Sequence, residues 1–586
     1  MVHTEDGLKT TRPLRVDEYG RRIVHWIAGL FDWATSSNGR ALAFLLALCA
    51  VSLLPGFFSI PVVDRDEARF VQASRQMVES GDLVDIRLGD VPRYKKPIGI
   101  YWMQSAVVGA AQALGVPDAT RTIWLYRIPS LAGAILAVLL TFWAALPFVG
   151  RRGAVFAATL LATCAAVAVE ARLAKTDAML LATMVATMGA LARAYLAPPG
   201  EGSGKVDIRL AAIFWVAMAI GILVKGPLTP MFAGVCIIAL AVMERSVRFL
   251  RPLAPVTGLI LCLIAVSPWF ALILTRAGDA FLSQSVSGDM MRKVAGSQEG
   301  HGAPPGTYLL AFWGSFWPAA PLAALAAPLV WRARRLKPVR FLLAWVVPIW
   351  LIFELIPTKL PHYLMPTFPA IAILVAMVVE RGGMALGNMR YARALWLWPI
   401  IGAVIAVGAL VGLAVLDGST SILAWPLLVV GFFALVVAVV FVGEYGVEKS
   451  SLLAVAGMLV SGFGVMQLIV PDMKSVWISP RLEALAAKER CATPDTPAQV
   501  ASAGFNEVSL MFVMPGKVTF TSAPGAADFL AEGGCRVVFV ERRMEAAFAR
   551  RAEELGLRLE RGASVFGMNF NNGRKLDISL YRGNRP

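Results

Sequence analysis

Residues 62–70, VVDRDEARF, follow directly on an apolar run and set Asp64, Arg65, Asp66, Glu67 and Arg69 close together. Asp64 can cap a helix running to about residue 80, and Glu67 three positions later completes a capping-box pattern. Asp66 is left without such a task. At about 100° per residue it lines up with Phe70, Ala73 and Met77 at the edge of the packing face, while Arg69, Arg75, Gln76 and Glu79 point elsewhere. A carboxylate beside buried surface is costly unless it has a partner or a function. Interaction with the helix dipole is the plain alternative.

Five further charged stretches accompany it: PRYKKPIGIYW at 92–102, EARLAKTDAML at 170–180, LVKGPL at 223–228, QEGHGAPPGTY at 298–308 and PTKLPHYLMPTFP at 357–369. Singly each has a plain reading. Thr176 and Asp177 can start a helix, Lys225 can snorkel, and Pro361 with Pro366 can shape a turn. Together they form a ring at one end of the apolar segments described below. Two carboxylates, several lysines, a histidine and tyrosines suit transfer chemistry on a lipid-borne phosphate, in which cations stabilise the phosphate and a carboxylate orients the acceptor or the attacked carbon. Four histidines without ligand-like spacing argue against a zinc site; no cofactor is expected, and divalent-metal dependence stays open.

The elements that must position these groups are membrane helices. Only 16% of the 586 residues are charged and 57% are hydrophobic, with mean hydropathy +0.66, against roughly 25% charged in soluble proteins. Spanning about 30 Å of hydrocarbon takes about 20 apolar residues. About thirteen such runs lie near 41–60, 127–149, 153–169, 178–197, 210–224, 226–243, 253–274, 308–330, 341–356, 363–379, 394–415, 422–442 and 451–470. Residues 1–40 form a leader that holds Arg12, Arg15, Arg21 and Arg22 and no evident cleavable signal. Its Ile23, Trp26, Ile27, Leu30 and Phe31 share a helical face suited to lying on the inner leaflet. Arg151 and Arg152, then Lys205 and Arg209, Arg245, Arg248 and Arg251, and Arg332 through Arg340 fall in alternate loops, which fixes those loops as cytoplasmic. The outward loop 61–126 nonetheless holds Arg65, Arg69, Arg75, Arg87, Arg93, Lys95, Lys96 and Arg121, as if to hold an anion. The positive charge is a topology signal and implies no nucleic acid.

The membrane part thus covers 41–470, and residues 471–586 read as an exported α/β domain, a cap or docking platform. EVSLMFVM and CRVVFVE look like strands, AADFLAEGG and RRMEAAFARRAEELG like helices, and NFNNGRKLDISLY like a hairpin turned at Asn572 and Gly573. Cys491 and Cys535 lie in this exported part, where a disulfide is permitted; Cys49, Cys164, Cys236 and Cys262 lie in apolar runs and are packing residues.

DRDEARFVQASRQMVESGDL, YKKPIGIYW, KTDAML, VKGP and KLPHYLMP, in that order, resemble the motifs of the aminoarabinose transferase family over roughly residues 40–380. These are bacterial inner-membrane glycosyltransferases of the C-type fold, distantly related to protein O-mannosyltransferases. The resemblance implies an all-α polytopic membrane protein with a C-terminal soluble α/β domain. By position, Asp66 matches the catalytic aspartate, Asp177 the second functional aspartate, and Lys96 the lysine that contacts donor phosphate. Lys225, His301, Lys359 and Tyr363 fall in cavity-lining motifs, and Arg69, Tyr94 and Lys95 adjoin the donor-binding ones. The implied donor is a polyprenyl (undecaprenyl) phosphate sugar and the implied acceptor lipid A or a related envelope glycolipid, joined at the periplasmic face of the inner membrane.

One position departs from the pattern. Members specific for aminoarabinose usually carry an acid before the Lys-Pro, whereas this chain has Lys95-Lys96-Pro97. A second lysine there argues for an acidic sugar such as galacturonate, or a neutral hexose; a Lys95 directed to solvent would select nothing. Two other functions compete: a lipid-linked sugar flippase, which would place its charges near the bilayer midplane on broken helices, and a protein O-mannosyltransferase, which changes only the acceptor.

Overall fold

The computed structural model describes residues 16–198, 205–285, 302–382, 384, 393–489 and 498–584. Each apolar run carries helix, because in hydrocarbon a single segment can satisfy its own backbone only that way. Among the described residues eight helical segments are long and apolar enough to cross a membrane, and Asn38–Leu53, Leu228–Glu244, Ala320–Arg332 and Ala424–Val440 are shorter apolar helices. The chain is a multi-span membrane protein. Two of the runs are each divided into two helices. Arg151–Ala162 gives way to Ala165–Glu170, and Thr307–Ser315 to Ala320–Arg332.

Asp177–Leu196 is the central helix, buried along most of its length, whereas Pro255–Leu282 exposes Val256, Leu259, Ile260, Leu263 and Ile264 as a peripheral helix does. Close approach to the centre depends on Gly133: a Cβ there would stand 2.6 Å from the backbone of Met179. The helices alternate in direction, so that Asp66, Asp177, Lys225 and Tyr363 gather at one end of the bundle while Arg152, Glu244, Arg340 and Glu380 gather at the other.

The leader helix, Val16–Thr35, turns a different face inward from the one its sequence suggests. Val24, Ala28, Phe31 and Ala34 are buried against the bundle, while Trp26 (70% exposed), Leu30 and Trp33 look outward. Spacings of four and three residues make one stripe of the first set, and Phe31 therefore packs on protein, not lipid.

Beyond the last membrane helix lies a five-stranded sheet in the order Val518–Thr521, Gln499–Ala503, Arg536–Glu541, Lys575–Asn584, Arg558–Met568. The first three strands are parallel and the last two join antiparallel. Val537 and Phe539 pack on one face with Ile478, Leu482 and Leu510; Val538 and Val540 pack on the other with Ala526, Ala527 and Phe548. This is the period-two alternation of a sheet covered on both sides. The hairpin turns as expected, with Gly573 at φ +68°. EVSLMFVM, however, is not a strand: Val508–Val513 is a short helix. Its β-rich composition is overridden by docking, because Leu510 and Phe512 are buried and Arg75 binds the carbonyls at its C-terminal end. Cys535 is disulfide-bonded; Cys491 lies outside the described residues. Cys49, Cys164, Cys236 and Cys262 are free and buried.

Candidate functional site

The helix Asp66–Ser80 starts one residue later than a cap at Asp64 would give. Its N-cap position is Arg65, at φ +69° and ψ −111°, with no side-chain cap. Asp64 instead accepts a hydrogen bond from the Ser509 N–H, 3.2 Å away, and Glu67 carries a larger load than a capping box. Glu67 receives Arg127 Nε (2.8 Å) and an Arg127 terminal nitrogen (2.9 Å), plus the N–H groups of Val63 and Ala174 (2.8 Å each). Both side chains are essentially fully buried, at 1% and 0% exposure. Arg127 also donates to the carbonyls of Phe57, Ile60 and Pro61. With every lone pair and proton satisfied, this pair can stay charged inside the protein, and it locks the start of the helix to the bundle.

Asp66, the neighbour of this locked residue, is open. Its side chain is 52% exposed, with Arg69 as an ion-pair partner at 3.9 Å. Phe70, Ala73 and Met77 below it are buried as expected. Burial of the surrounding protein would raise the Asp66 carboxyl, but Lys175, Arg93 and Arg69 outweigh this and hold it below the usual carboxylate range. Asp66 is therefore an accessible carboxylate, ionised at neutral pH, in a cationic setting.

A charge layer lies behind it. Asp177 is the first residue of the central helix, where the dipole favours an acid. Its Oδ1 meets Lys225 Nζ at 2.5 Å and His362 Nε2 at 3.5 Å. His362 Nδ1 lies 3.4 Å from Glu170 Oε1, which Lys175 Nζ reaches at 3.0 Å. Lys225 sits 5.6 Å from the Tyr363 ring centre. Lys225 ends its helix beside Gly99, where a Cβ would approach the Leu223 carbonyl to 2.8 Å, so the segment carrying Lys96 is pressed directly on the Lys225 helix.

The structure thus brings Asp66, Arg69, Asp177, Lys225 and Tyr363 together. Lys96 is half-buried and Lys95 exposed. Two other candidates turn inward. Tyr94 is buried and donates to Asp85 (2.6 Å), and Lys359 donates to the carbonyls of Glu354 (3.0 Å) and Ile356 (2.6 Å). His301 lies outside the described residues. Four groups join that spacing alone does not single out: Arg93, Glu170, Lys175 and His362. Glu170 and Lys175 belong to the same charged stretch as Asp177, and His362 is the histidine set in an apolar run, which marks such residues for attention. Arg93 is buried over the Phe70 ring, its Nε without a hydrogen bond among the described residues. No three His, Cys, Asp or Glu side chains form a metal-ligating group among the described residues.

The dolichyl-phosphate-mannose-protein mannosyltransferase family profile matches residues 58–277. Similar curated proteins include the undecaprenyl phosphate-alpha-4-amino-4-deoxy-L-arabinose arabinosyl transferases of Pectobacterium carotovorum, 26% identical over 60% of this chain and 61% of that protein, and of Erwinia tasmaniensis, 28% identical over 53% and 54%. The chain therefore spans less than two thirds of the length of these relatives. Among solved structures, ArnT from Cupriavidus metallidurans bound to undecaprenyl phosphate superposes with TM-score 0.71, covering 93% of this chain and 98% of that one at 19% identity; the apo form gives 0.69. That likeness is one of fold. The chain is similar to aminoarabinose transferases and shares the fold of that solved structure along nearly its whole length.

Proposed function

We propose that the protein moves a sugar from a polyprenyl (undecaprenyl) phosphate to lipid A or another envelope glycolipid, at the periplasmic face of a bacterial inner membrane. The observation that carries this reading is the accessible Asp66 carboxylate among Lys175, Arg93 and Arg69, backed by the Asp177–Lys225 pair. The names of the relatives and the undecaprenyl phosphate bound by a protein of the same fold support it.

In the transfer, the bond between the anomeric carbon and the phosphate oxygen breaks and a bond to the acceptor oxygen forms. The polyprenyl phosphate leaves with the electron pair and gains negative charge, which Lys96, Arg69 and their cationic neighbours stabilise. A hydroxyl acceptor passes its proton to Asp66; a phosphate acceptor is already anionic, and Asp66 then orients it. Asp177 holds Lys225 in place. Tyr94 and Lys359, bonded inward, fasten the segments around the site.

Mass spectrometry of lipid A and of glycoproteins from a deletion strain tests the reading. A missing lipid A substituent, restored by the intact gene, supports it; unchanged lipid A with a missing protein-linked hexose would move the acceptor to protein, the second reading that the mannosyltransferase match favours. For the donor, we propose an acidic or neutral sugar: Lys95 is exposed beside Lys96, and where it stands within a few Å of the bound sugar it repels a cationic one by an amount on the order of 1 kcal/mol in a wet site. Competition among carriers bearing aminoarabinose, galacturonate and a neutral hexose, with wild type and Lys95→Glu, decides. Preference of the wild type for aminoarabinose ends that proposal.

A further inference from the structure

The C-terminal sheet region grips the segment preceding Asp66 from two directions. On one side is the short helix Val508–Val513. Phe512 is buried with Val62, Ala68, Val71 and Tyr126, its ring 5.3 Å from that of Tyr126. Arg75, from the middle of the Asp66–Ser80 helix, donates to the carbonyls of Met511 (3.2 Å), Phe512 (2.9 Å) and Met514 (3.0 Å). The Ser509 N–H completes this side by binding Asp64.

On the other side is the hairpin turn at 569–573. The Asn571 carbonyl accepts from the Arg65 guanidinium at 3.5 Å. Turn and short helix are tied together by Glu507, whose two carboxylate oxygens accept from the side-chain amides of Asn569 (2.7 Å) and Asn571 (2.6 Å).

Between these two contacts lies Arg65, in a positive-φ conformation that an L residue rarely adopts and that glycine would take at no steric cost. Such strain persists only where the surroundings over-determine it, and it concentrates at functional positions. The residue that follows is Asp66. Local sequence does not hold this conformation, because the helix lacks a side-chain cap. What surrounds it is Glu67, locked from within by Arg127, and the C-terminal region from without.

The geometry points to the C-terminal region as a positioning element of the transferase site: Glu507, Asn569, Asn571 and Ser509 hold Asp64 and Arg65, and so fix where the Asp66 carboxylate stands. The grip itself concerns the backbone; only its effect on turnover rests on the function proposed above.

The test uses the full-length protein in lipid, as wild type, Glu507→Ala, Glu507→Gln and Ser522→Ala. Ser522 caps a different helix of the same sheet region, through Gly525 N–H, and controls for general loosening. The probes are exchange of the Ala68 and Arg69 amides, bonded to the carbonyls of Val63 and Arg65, and steady-state transfer. Glu507→Ala is expected to speed exchange about tenfold. It should lower kcat by about tenfold, since a shift of about 1 Å can cost about a hundredfold, and leave the donor KM unchanged. Glu507→Gln, which keeps one acceptor, should fall between, and Ser522→Ala should match wild type. Unchanged exchange in Glu507→Ala overturns the proposal, as does a loss confined to KM or an equal loss in Ser522→Ala. If the wild type transfers no sugar from any carrier offered, the functional reading fails, and the exchange result alone decides whether the grip exists.

Discussion

The two ends of the helix bundle use charge differently. At the end away from Asp66, Arg152 meets Glu448 and Asp32, and Arg340 meets Glu244, which also accepts from the Tyr195 hydroxyl. Each of these cations has acids within hydrogen-bonding reach, at a surface open to water. At the Asp66 end Glu67 is paired with Arg127 and Asp177 with Lys225, but the outermost carboxylate is open and several cations face it. Saturated charge fastens helices; an exposed carboxylate can meet a ligand.

The contrast can be broken in graded steps. Glu67→Gln should have the largest effect, because it leaves Arg127 buried with a weakened partner: about 3–5 kcal/mol of stability, read by thermal unfolding in detergent and by yield. Asp66→Asn should leave the fold intact, since the side chain is half exposed, and lower turnover by about 10²–10³-fold; wild-type transfer would dissolve the distinction between the ends. Lys96→Ala should weaken donor use about tenfold while Lys96→Arg retains most of it, a charge-assisted phosphate contact being what is lost. Equal activity of both with wild type would make Lys96 a surface anchor.

Asp64 offers a smaller, pH-dependent step. Burial, with Glu507 nearby, pushes its carboxyl up to about 7, against the Ser509 hydrogen bonds and the Arg69 charge. Docking of the C-terminal region thus binds a proton that the undocked carboxyl would release. The contribution to docking is complete below the ordinary carboxylate range and is lost as pH rises through about 7. The melting temperature should therefore decline over that interval in the wild type and lose this component in Asp64→Asn. Smallest of all, Arg152→Ala at the opposite end should cost under about 1 kcal/mol and leave kcat unchanged; a large loss of turnover would mean that the two ends are coupled.

The apolar runs were legible because hydrocarbon imposes their length and composition, and Asp66 was legible as the acid for which local rules found no use. Glu67 was not: its partner lies 60 residues away, and a local capping pattern explains the same letters equally well. The same holds for Val508–Val513, whose helix depends on carbonyl contacts with Arg75, 436 to 439 residues earlier. Phe31 was assigned to lipid because an apolar side chain carries no mark of whether protein or lipid will cover it. His362 carried a signal, a polar ring in an apolar run, that its neighbour Tyr363 obscured.

The contact between Arg65 and Asn571 also sets a clock. These residues are 506 positions apart in the chain, and a ribosome adding about 5–20 residues per second needs roughly 25 to 100 s to pass from one to the other. For most of that interval the nascent chain already holds Asp66, Asp177 and Lys225 but not the turn that contacts Arg65. The Asp66 carboxylate thus stays without this brace until the final stretch of translation.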